Sequence, residues 1–246
     1  MTPEIPFRRN VVEPVQCIKG GWEIIKSQYW LFVGMTLVGV LIGGAVPIIL
    51  MGPMMCGLNL AFLKARRGES IEFGTLFKGF EYFGQSVLAM LLQTIPVFVV
   101  VVPAYILFYV SIFVSMAAQG GDEPNPAALF GVMGVFGLFW LVVMVLIIII
   151  TIGFTFVFPL IVDRKLSALD AIKLSFKGAL ANFWRLLGMV LLTSLLSMVG
   201  ALACYVGALF VMPIAYAAHA KAYEQVFGLS DGMDYSNLPP PPPVFN

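Results

Sequence analysis

The sequence predicts an all-α membrane protein with six transmembrane helices, arranged as three hairpins that are each preceded by a cytoplasmic amphipathic helix. Of its 246 residues, 60% are hydrophobic and 11% are charged, whereas a soluble domain carries about 25% charged residues. Four stretches of 35 to 40 residues contain no Asp, Glu, Lys or Arg, and one span needs about 20 apolar residues. The net charge of +1 creates no field that would recruit nucleic acid, so no such partner is expected.

The basic residues determine how often each uncharged stretch crosses the membrane. All fourteen Lys and Arg residues fall in four segments, at residues 8–26, 64–78, 164–185 and 221. The connector at 119–127 has only acidic charges. Short basic loops stay in the cytoplasm. Stretches 27–63 and 186–220 therefore cross twice, while 82–121 and 124–162, which flank the acidic connector, cross once each.

This count predicts a multi-pass protein of the cell inner membrane with both termini in the cytoplasm. Gly and Pro punctuate helices, so outer turns are predicted at residues 43–47, 120–124 and 200–207. An eight-span alternative would need an outer turn at 97–102, which is too apolar for a loop. No cleavable signal peptide precedes the first span. The residues predicted to mark the cytoplasmic side are Met1, Arg67, Lys173 and Asn246, and Asp122 is predicted to lie outside.

Residues before the first and last hairpins match at a constant offset of 154. The matched residues are Ile18-Lys19 with Ile172-Lys173, Trp22 with Phe176, Tyr29-Trp30 with Phe183-Trp184, and Gly34-Met35 with Gly188-Met189. A weaker third copy surrounds Phe77-Lys78-Gly79. Such self-similarity indicates a repeated supersecondary unit. The predicted organisation is a cytoplasmic segment at 1–14, one transmembrane domain with an internal repeat at 15–223, and a Pro-rich cytoplasmic tail at 224–246.

A segment with apolar residues in three- and four-residue steps precedes each hairpin. The apolar stripes are Val15, Ile18, Trp22, Ile25 and Tyr29 in the first segment, Leu76, Phe80, Phe83 and Val87 in the second, and Leu166, Leu169, Ile172, Phe176, Leu180 and Phe183 in the third. Ser167 and Asp170 supply a capping box for the third. Such helices can lie in the membrane–water interface and turn their basic residues to anionic lipid. Alternatively, they can pack on the inner end of the helix bundle as structural connectors, called elbows below. The candidate lipid-headgroup contacts are Lys19, Lys78, Lys173, Lys177 and Arg185.

The predicted spans contain few residues that could bind ions or catalyse a reaction. None holds a charged residue in its interior, which argues against ion-coupled carriers and proton pumps. Asn59 and Gln93 are candidates for an intramembrane polar site, and interhelical hydrogen bonding is the alternative reading. His219 has no accompanying ligand or catalytic partner, the three cysteines have no metal-ligand spacing, and the common catalytic motifs are absent. No catalytic residue, cofactor or metal is therefore expected, and the protein is not expected to be an enzyme.

The C-terminal stretch 238–244 contains five consecutive prolines. Such a run favours a polyproline II rod, which can serve as a docking ligand. A disordered end is the alternative.

Two motif strings resemble those of small uncharacterised bacterial integral membrane proteins. They are Gly52-Pro53-Met54-Met55-Cys56-Gly57 with Arg67-Gly68-Glu69, and Phe158-Pro159-Leu160-Ile161-Val162-Asp163 with Ala168-Leu169. They are also similar to the membrane domain fused to some glycerophosphodiester phosphodiesterases. The resemblance covers most of 15–223 and implies a similar architecture. It transfers no functional residue and no phosphodiesterase activity, because that catalytic domain is not in the sequence.

Two hypotheses about function follow. The first is a non-enzymatic scaffold or accessory subunit that binds membrane lipid or another membrane protein. The alternative is a transporter or channel for a small neutral or hydrophobic solute, which would use the spans that contain proline.

Overall fold

A computed structural model of the chain describes residues 5–118, 126–202 and 206–230, and all regular secondary structure in these ranges is helical, as predicted. The α-helices are α1 (Pro14–Ile25), α2 (Tyr29–Ala45), α3 (Pro47–Arg67), α4 (Phe83–Ala118), α5 (Pro126–Phe154), α6 (Val157–Arg164), α7 (Ala168–Leu180), α8 (Phe183–Leu202) and α9 (Val206–Phe227). Two 3₁₀ helices cover Lys26–Gln28 and Phe73–Tyr82. The predicted turn at 120–124 with Asp122, part of the turn at 200–207, the proline run at 238–244, Cys204, Met1 and Asn246 lie outside the described residues.

Five helical stretches are long and apolar enough to cross a membrane. They are Pro14–Ala45, Pro47–Arg67, Phe73–Val114, Phe136–Arg164 and Phe183–Leu202. Many of their large apolar side chains, such as Trp30, Phe113 and Trp184, are exposed, and a water-soluble protein rarely shows contiguous apolar surface of this extent. The chain is therefore a membrane protein. The helix α9, which corresponds to the sixth predicted span, is not among these five.

The chain divides into two compact units. One consists of Met1–Leu91 with Ile152–Asn246, and the other of Leu92–Thr151. In the second unit the ring of Phe108 stacks on that of Phe136 at 3.6 Å, and Tyr105 meets Trp140 edge to face at 5.5 Å. These aromatic contacts hold α4 and α5 together within that unit.

The core of the first unit lies between α2 and α3. The rings of Phe32 and Phe62 stack at 4.9 Å. Met35, Met54 and Leu58 complete a buried cluster around them. The break between α2 and α3 falls at Val46, inside the turn predicted at 43–47, and proline at the first position of α3 suits a helix start.

Glycines allow α3 and the 3₁₀ helix Phe73–Tyr82 to meet backbone against backbone. A Cβ atom on Gly57 would overlap the carbonyl oxygen of Leu76, and one on Gly79 would overlap the carbonyl oxygen of Pro53. No side chain larger than hydrogen fits at either position. Small residues permit this kind of close approach between membrane helices.

The segments α1 and α7 bury mainly small residues and expose some of their large apolar residues. In α7, Ala171, Ser175 and Gly178 are buried, whereas Leu169 and Leu180 are 54% and 57% exposed. The buried residues of α1 are Cys17, Gly21 and Ile25, and the exposed ones include Val15 and Trp22. The predicted apolar stripes therefore divide between two sides, since Ile25 is buried and Trp22 of the same stripe is exposed. Periodicity alone does not say which residues of a stripe pack against the protein.

The second segment differs in helix type from α1 and α7. It begins as the 3₁₀ helix Phe73–Tyr82, in which Leu76 is buried and Phe80 exposed, and continues into α4 with Phe83 exposed. The start of α7 agrees with the sequence, since the Ser167 hydroxyl accepts a hydrogen bond from the Asp170 amide at 3.3 Å. The starts of α1 and α7, and those of α2 and α8, are 154 residues apart, which equals the offset of the matched residues.

We predict that Gly57→Ala destabilises the protein by about 1–3 kcal/mol, because the added methyl group forces α3 and the 3₁₀ helix apart. Gly74→Ala is the matched control, since a Cβ atom at Gly74 meets no atom within 4 Å. Thermal unfolding in detergent compares the two variants. Equal midpoints for Gly57→Ala and Gly74→Ala would contradict the close backbone approach.

Candidate functional site

The C-terminal ends of α3, α6 and α9 meet in one polar cluster. Each helix is followed by a residue with left-handed backbone, Gly68 (φ 72°), Lys165 (φ 50°) and Gly228 (φ 68°). Such a residue ends a helix and frees the chain to change direction. The cluster formed where the helices end, called the Asp163 cluster below, contains Arg67, Asp163, Arg164, Tyr223 and Ser230.

The carboxylate of Asp163 is at the centre of the cluster and is fully buried. Its Oδ1 atom accepts hydrogen bonds from Arg67 Nη2 and from the Ser230 hydroxyl, the latter at 2.8 Å. Its Oδ2 atom accepts from the Tyr223 hydroxyl at 2.7 Å and from the Ser230 amide at 3.1 Å, and Arg164 Nε lies 3.4 Å away. A buried charge costs several kcal/mol unless it is paired and hydrogen-bonded. Here both requirements are met.

The two guanidinium groups extend the cluster to the backbone. Arg164 Nη2 donates to the carbonyl of Phe227 at 3.0 Å and lies 3.4 Å from that of Gly228. A cation in this position satisfies the last carbonyl groups of α9 and complements the negative end of the helix dipole. Arg67 Nη2 donates to the carbonyl of Ser230 at 3.0 Å. Arg67 and Arg164 therefore link α3 and α6 to the C-terminal end of α9.

A second ionic group joins α3 to α9 beside this cluster. Arg66 binds Glu224 with two hydrogen bonds, of 2.7 and 2.8 Å. Lys221 donates to the same carboxylate at 2.9 Å. These side chains are partly exposed, so solvent screens the group and its contribution is smaller than that of the buried one.

The N-terminal segment before α1 is fastened to the same region. The Arg8 amide donates to the carbonyl of Val226 at 2.8 Å. Asn182 exchanges two hydrogen bonds with this segment, accepting from the Val11 amide at 2.9 Å and donating to the Arg8 carbonyl at 3.0 Å. Arg185, a candidate headgroup contact, donates to Asn10 Oδ1 at 2.9 Å. Its guanidinium therefore already serves a protein contact.

The other candidate residues are dispersed. All four lysines proposed to contact lipid headgroups are exposed: Lys19, Lys78, Lys173 and Lys177. Asn59 is buried, and its amide donates to the carbonyl of Met55 one turn earlier in α3 at 2.8 Å. Gln93 is half-buried and belongs to the other compact unit.

Sequence reasoning missed the Asp163 cluster. It read Arg67 as a topology marker and Asp163 as part of a motif string, and it gave Tyr223 and Ser230 no role. The available signal was an Asp-Arg pair that directly follows a long apolar run, together with Arg67 in the other string. Nothing in the spacing indicates that these positions meet.

The geometry of the cluster suits a structural role. Both carboxylate oxygens of Asp163 are occupied by protein donors, so neither is open to a substrate. Among the described residues, no group of three or more His, Cys, Asp or Glu side chains could hold a metal ion. The cluster therefore acts as a pin that joins three helix ends.

Residues 17–228 match the model of one protein family, described as "Protein of unknown function (DUF975)". The match contains all of α2 to α9 and four of the five cluster residues. No curated protein and no solved structure matches the chain.

We predict that Asp163→Asn lowers stability by about 3–5 kcal/mol, because two guanidinium groups lose their buried counter-ion. Glu23→Gln is the control, since Glu23 forms an exposed ion pair with Lys26 within one helical turn, and it should leave stability unchanged. Unfolding by heat and by SDS measures both variants. Similar small losses in both would show that the cluster contributes no more than a surface ion pair.

Proposed function

We propose that this chain, which belongs to the family of unknown function DUF975, is a non-enzymatic six-span protein of the cell inner membrane. In this proposal it serves as a scaffold or accessory subunit that binds anionic lipid at its cytoplasmic face. The observation that carries the proposal is the outward direction of large apolar side chains on α1 and α7, beside exposed lysines.

The helix ends support the six-span topology. The Asp163 cluster and the Arg66–Glu224 pair hold the C-terminal ends of α3, α6 and α9 together. Three helices that end on one side fit three hairpins, each of which leaves the membrane where it entered. The length of α9, 22 residues, corresponds to about 33 Å, enough for a hydrocarbon core of about 30 Å. The basic residues at these ends favour the cytoplasm for that side.

The arrangement of α7 fits a helix in the lipid interface. Its small residues face the protein, while Leu169 and Leu180 face outward. Lys173 and Lys177 are exposed one turn apart on the same helix. Each basic residue near an anionic leaflet adds about 1 kcal/mol of attraction. This combination supports lipid binding over a purely structural elbow.

Two exposed tryptophans support the proposal that α2 and α8 enter the membrane at the same depth. Trp30 and Trp184, at the starts of α2 and α8, are 73% and 79% exposed. Tryptophan is enriched at membrane interfaces. The two positions are related by the offset of 154, so we include an internal repeat of an interfacial helix and a hairpin in the proposal.

The likeness to the membrane domain fused to some glycerophosphodiester phosphodiesterases is also part of the proposal. This likeness favours a membrane domain that acts together with another protein, as expected of a scaffold or accessory subunit. A transporter for neutral solutes would need polar groups free to contact the solute. The amide of Asn59, a candidate polar group for such a solute, instead donates to a carbonyl of its own helix.

We predict that α3 crosses the membrane once, towards the cytoplasm. The background is Cys204→Ser, because Cys204 belongs to the predicted outer turn at 200–207. In it Ala45→Cys, before α3, should react with an impermeant maleimide from outside. Ser70→Cys, after α3, should react only after the membrane is permeabilised. Both positions are exposed in the structure, so a difference in labelling reports the side of the membrane. Labelling of Ser70→Cys from outside would contradict the six-span topology.

We predict that replacing Lys173 and Lys177 together with Gln weakens binding of anionic lipid by ~30-fold, since two basic contacts of about 1 kcal/mol each are lost. Replacing both with Arg preserves the charge and should preserve binding. Native mass spectrometry of bound lipid compares the variants, with thermal stability as a check on folding. Phe176→Asp should weaken binding further and also lower thermal stability, because it puts a charge where the Phe176 ring meets that of Phe154 edge to face at 5.5 Å. Unchanged lipid binding in the Gln variant would reduce α7 to a structural elbow.

A further inference from the structure

The residue that closes the Asp163 cluster lies beyond the last helix. Ser230 follows Gly228, at which α9 ends, and belongs to no regular element. Despite that position it is only 3% exposed. A polar residue this deeply buried needs partners for its hydrogen-bonding groups.

Every polar atom of Ser230 has a partner in the cluster. Its amide donates to Asp163 Oδ2 at 3.1 Å, and its carbonyl accepts from Arg67 Nη2 at 3.0 Å. Its hydroxyl oxygen lies 2.8 Å from Asp163 Oδ1 and 3.0 Å from Arg67 Nη2. The hydroxyl donates to Asp163, whose backbone carbonyl oxygen is also within 3.0 Å. The two N–H groups of Arg67 Nη2 are shared among the Asp163 carboxylate, the Ser230 carbonyl and the Ser230 hydroxyl. Asp163 and Arg67 therefore recognise both the backbone and the side chain of one serine.

We propose that Asp163 and Arg67 form a docking site for a serine-containing peptide segment, and that the occupant is the chain's own segment 228–230. The docked segment is a cover that can leave without separating the helix ends. This inference is independent of the proposed lipid binding.

The contacts of the cluster show why the cover is separable. Without Ser230, Asp163 keeps Arg67, Arg164 and the Tyr223 hydroxyl. The ends of α3, α6 and α9 thus stay joined. Arg67 is 27% exposed already, so the site opens to solvent on that side. Within the segment, Gly228 stays bonded to α9 through its amide, which donates to the Glu224 carbonyl at 2.9 Å. Beyond the left-handed backbone of Gly228, the described contacts of the segment are those of Ser230 with Asp163 and Arg67.

Cysteine labelling of the full chain tests the docking. Cys17 and Cys56 are buried, and Cys204→Ser removes the remaining thiol. In this background Ser230→Cys should react with a maleimide at least about tenfold more slowly than Ser27→Cys, because Ser27 is exposed. Adding Arg67→Gln should raise the rate of Ser230→Cys to that of Ser27→Cys. Arg66→Gln is the matched control and should leave the rate low, because Arg66 binds Glu224 and not Ser230.

Hydrogen exchange of the unaltered protein tests the docking independently, in case Ser230→Cys itself prevents the segment from docking. The Ser230 amide should be protected, and it should exchange about tenfold faster than the Val226 amide inside α9, because the cover opens before the helix does. An unprotected Ser230 amide would overturn the docking site. Exchange of both amides at one rate would overturn the separable cover, as would equal effects of Arg66→Gln and Arg67→Gln on labelling.

Discussion

The carboxylate of Asp163 is buried in a protein whose other buried groups are mostly apolar, and its charge must be compensated where it lies. Two guanidinium groups, a tyrosine hydroxyl and a serine do this. Because these groups come from the ends of α3, α6 and α9, the compensation can occur only if the three ends meet. A membrane interior provides no hydrophobic force to bring helices together. A polar pin at their ends supplies a specific attraction that apolar side chains do not.

Packing through small residues complements this pin. Gly57 and Gly79 let backbones touch, and the buried faces of α1 and α7 consist mainly of small residues, while Trp22, Leu169 and Leu180 are exposed. In water such an arrangement would promote aggregation. In a bilayer the outward residues meet lipid, and the dense backbone contacts supply the van der Waals attraction that stabilises membrane helices. The lysines of α7 are exposed, and in the proposed lipid binding they are the groups that contact anionic headgroups.

Hydropathy and local signals predicted the helical class, the break at Val46 and the start of α7 after Ser167, because each depends on a few neighbouring residues. The direction of the apolar stripes could not be predicted, since small residues such as Ala171 and Gly178 look unremarkable in a hydropathy pattern. The Asp163 cluster could not be predicted from the sequence for a different reason. Asp163 and Arg67 are 96 residues apart, and charges at the end of a span usually indicate a solvated loop. Only tertiary structure shows that they pair.

The most direct measurement of the pin is a double-mutant cycle between Asp163 and Arg67. The stabilities of Asp163→Asn, Arg67→Gln and the double variant are compared with that of the unaltered protein by unfolding in detergent. We predict that the two substitutions are strongly non-additive, with a coupling energy of about 1–3 kcal/mol, because each alone breaks the same buried pair. Additive losses, with coupling below about 0.5 kcal/mol, would show that this pair does not hold the helix ends together.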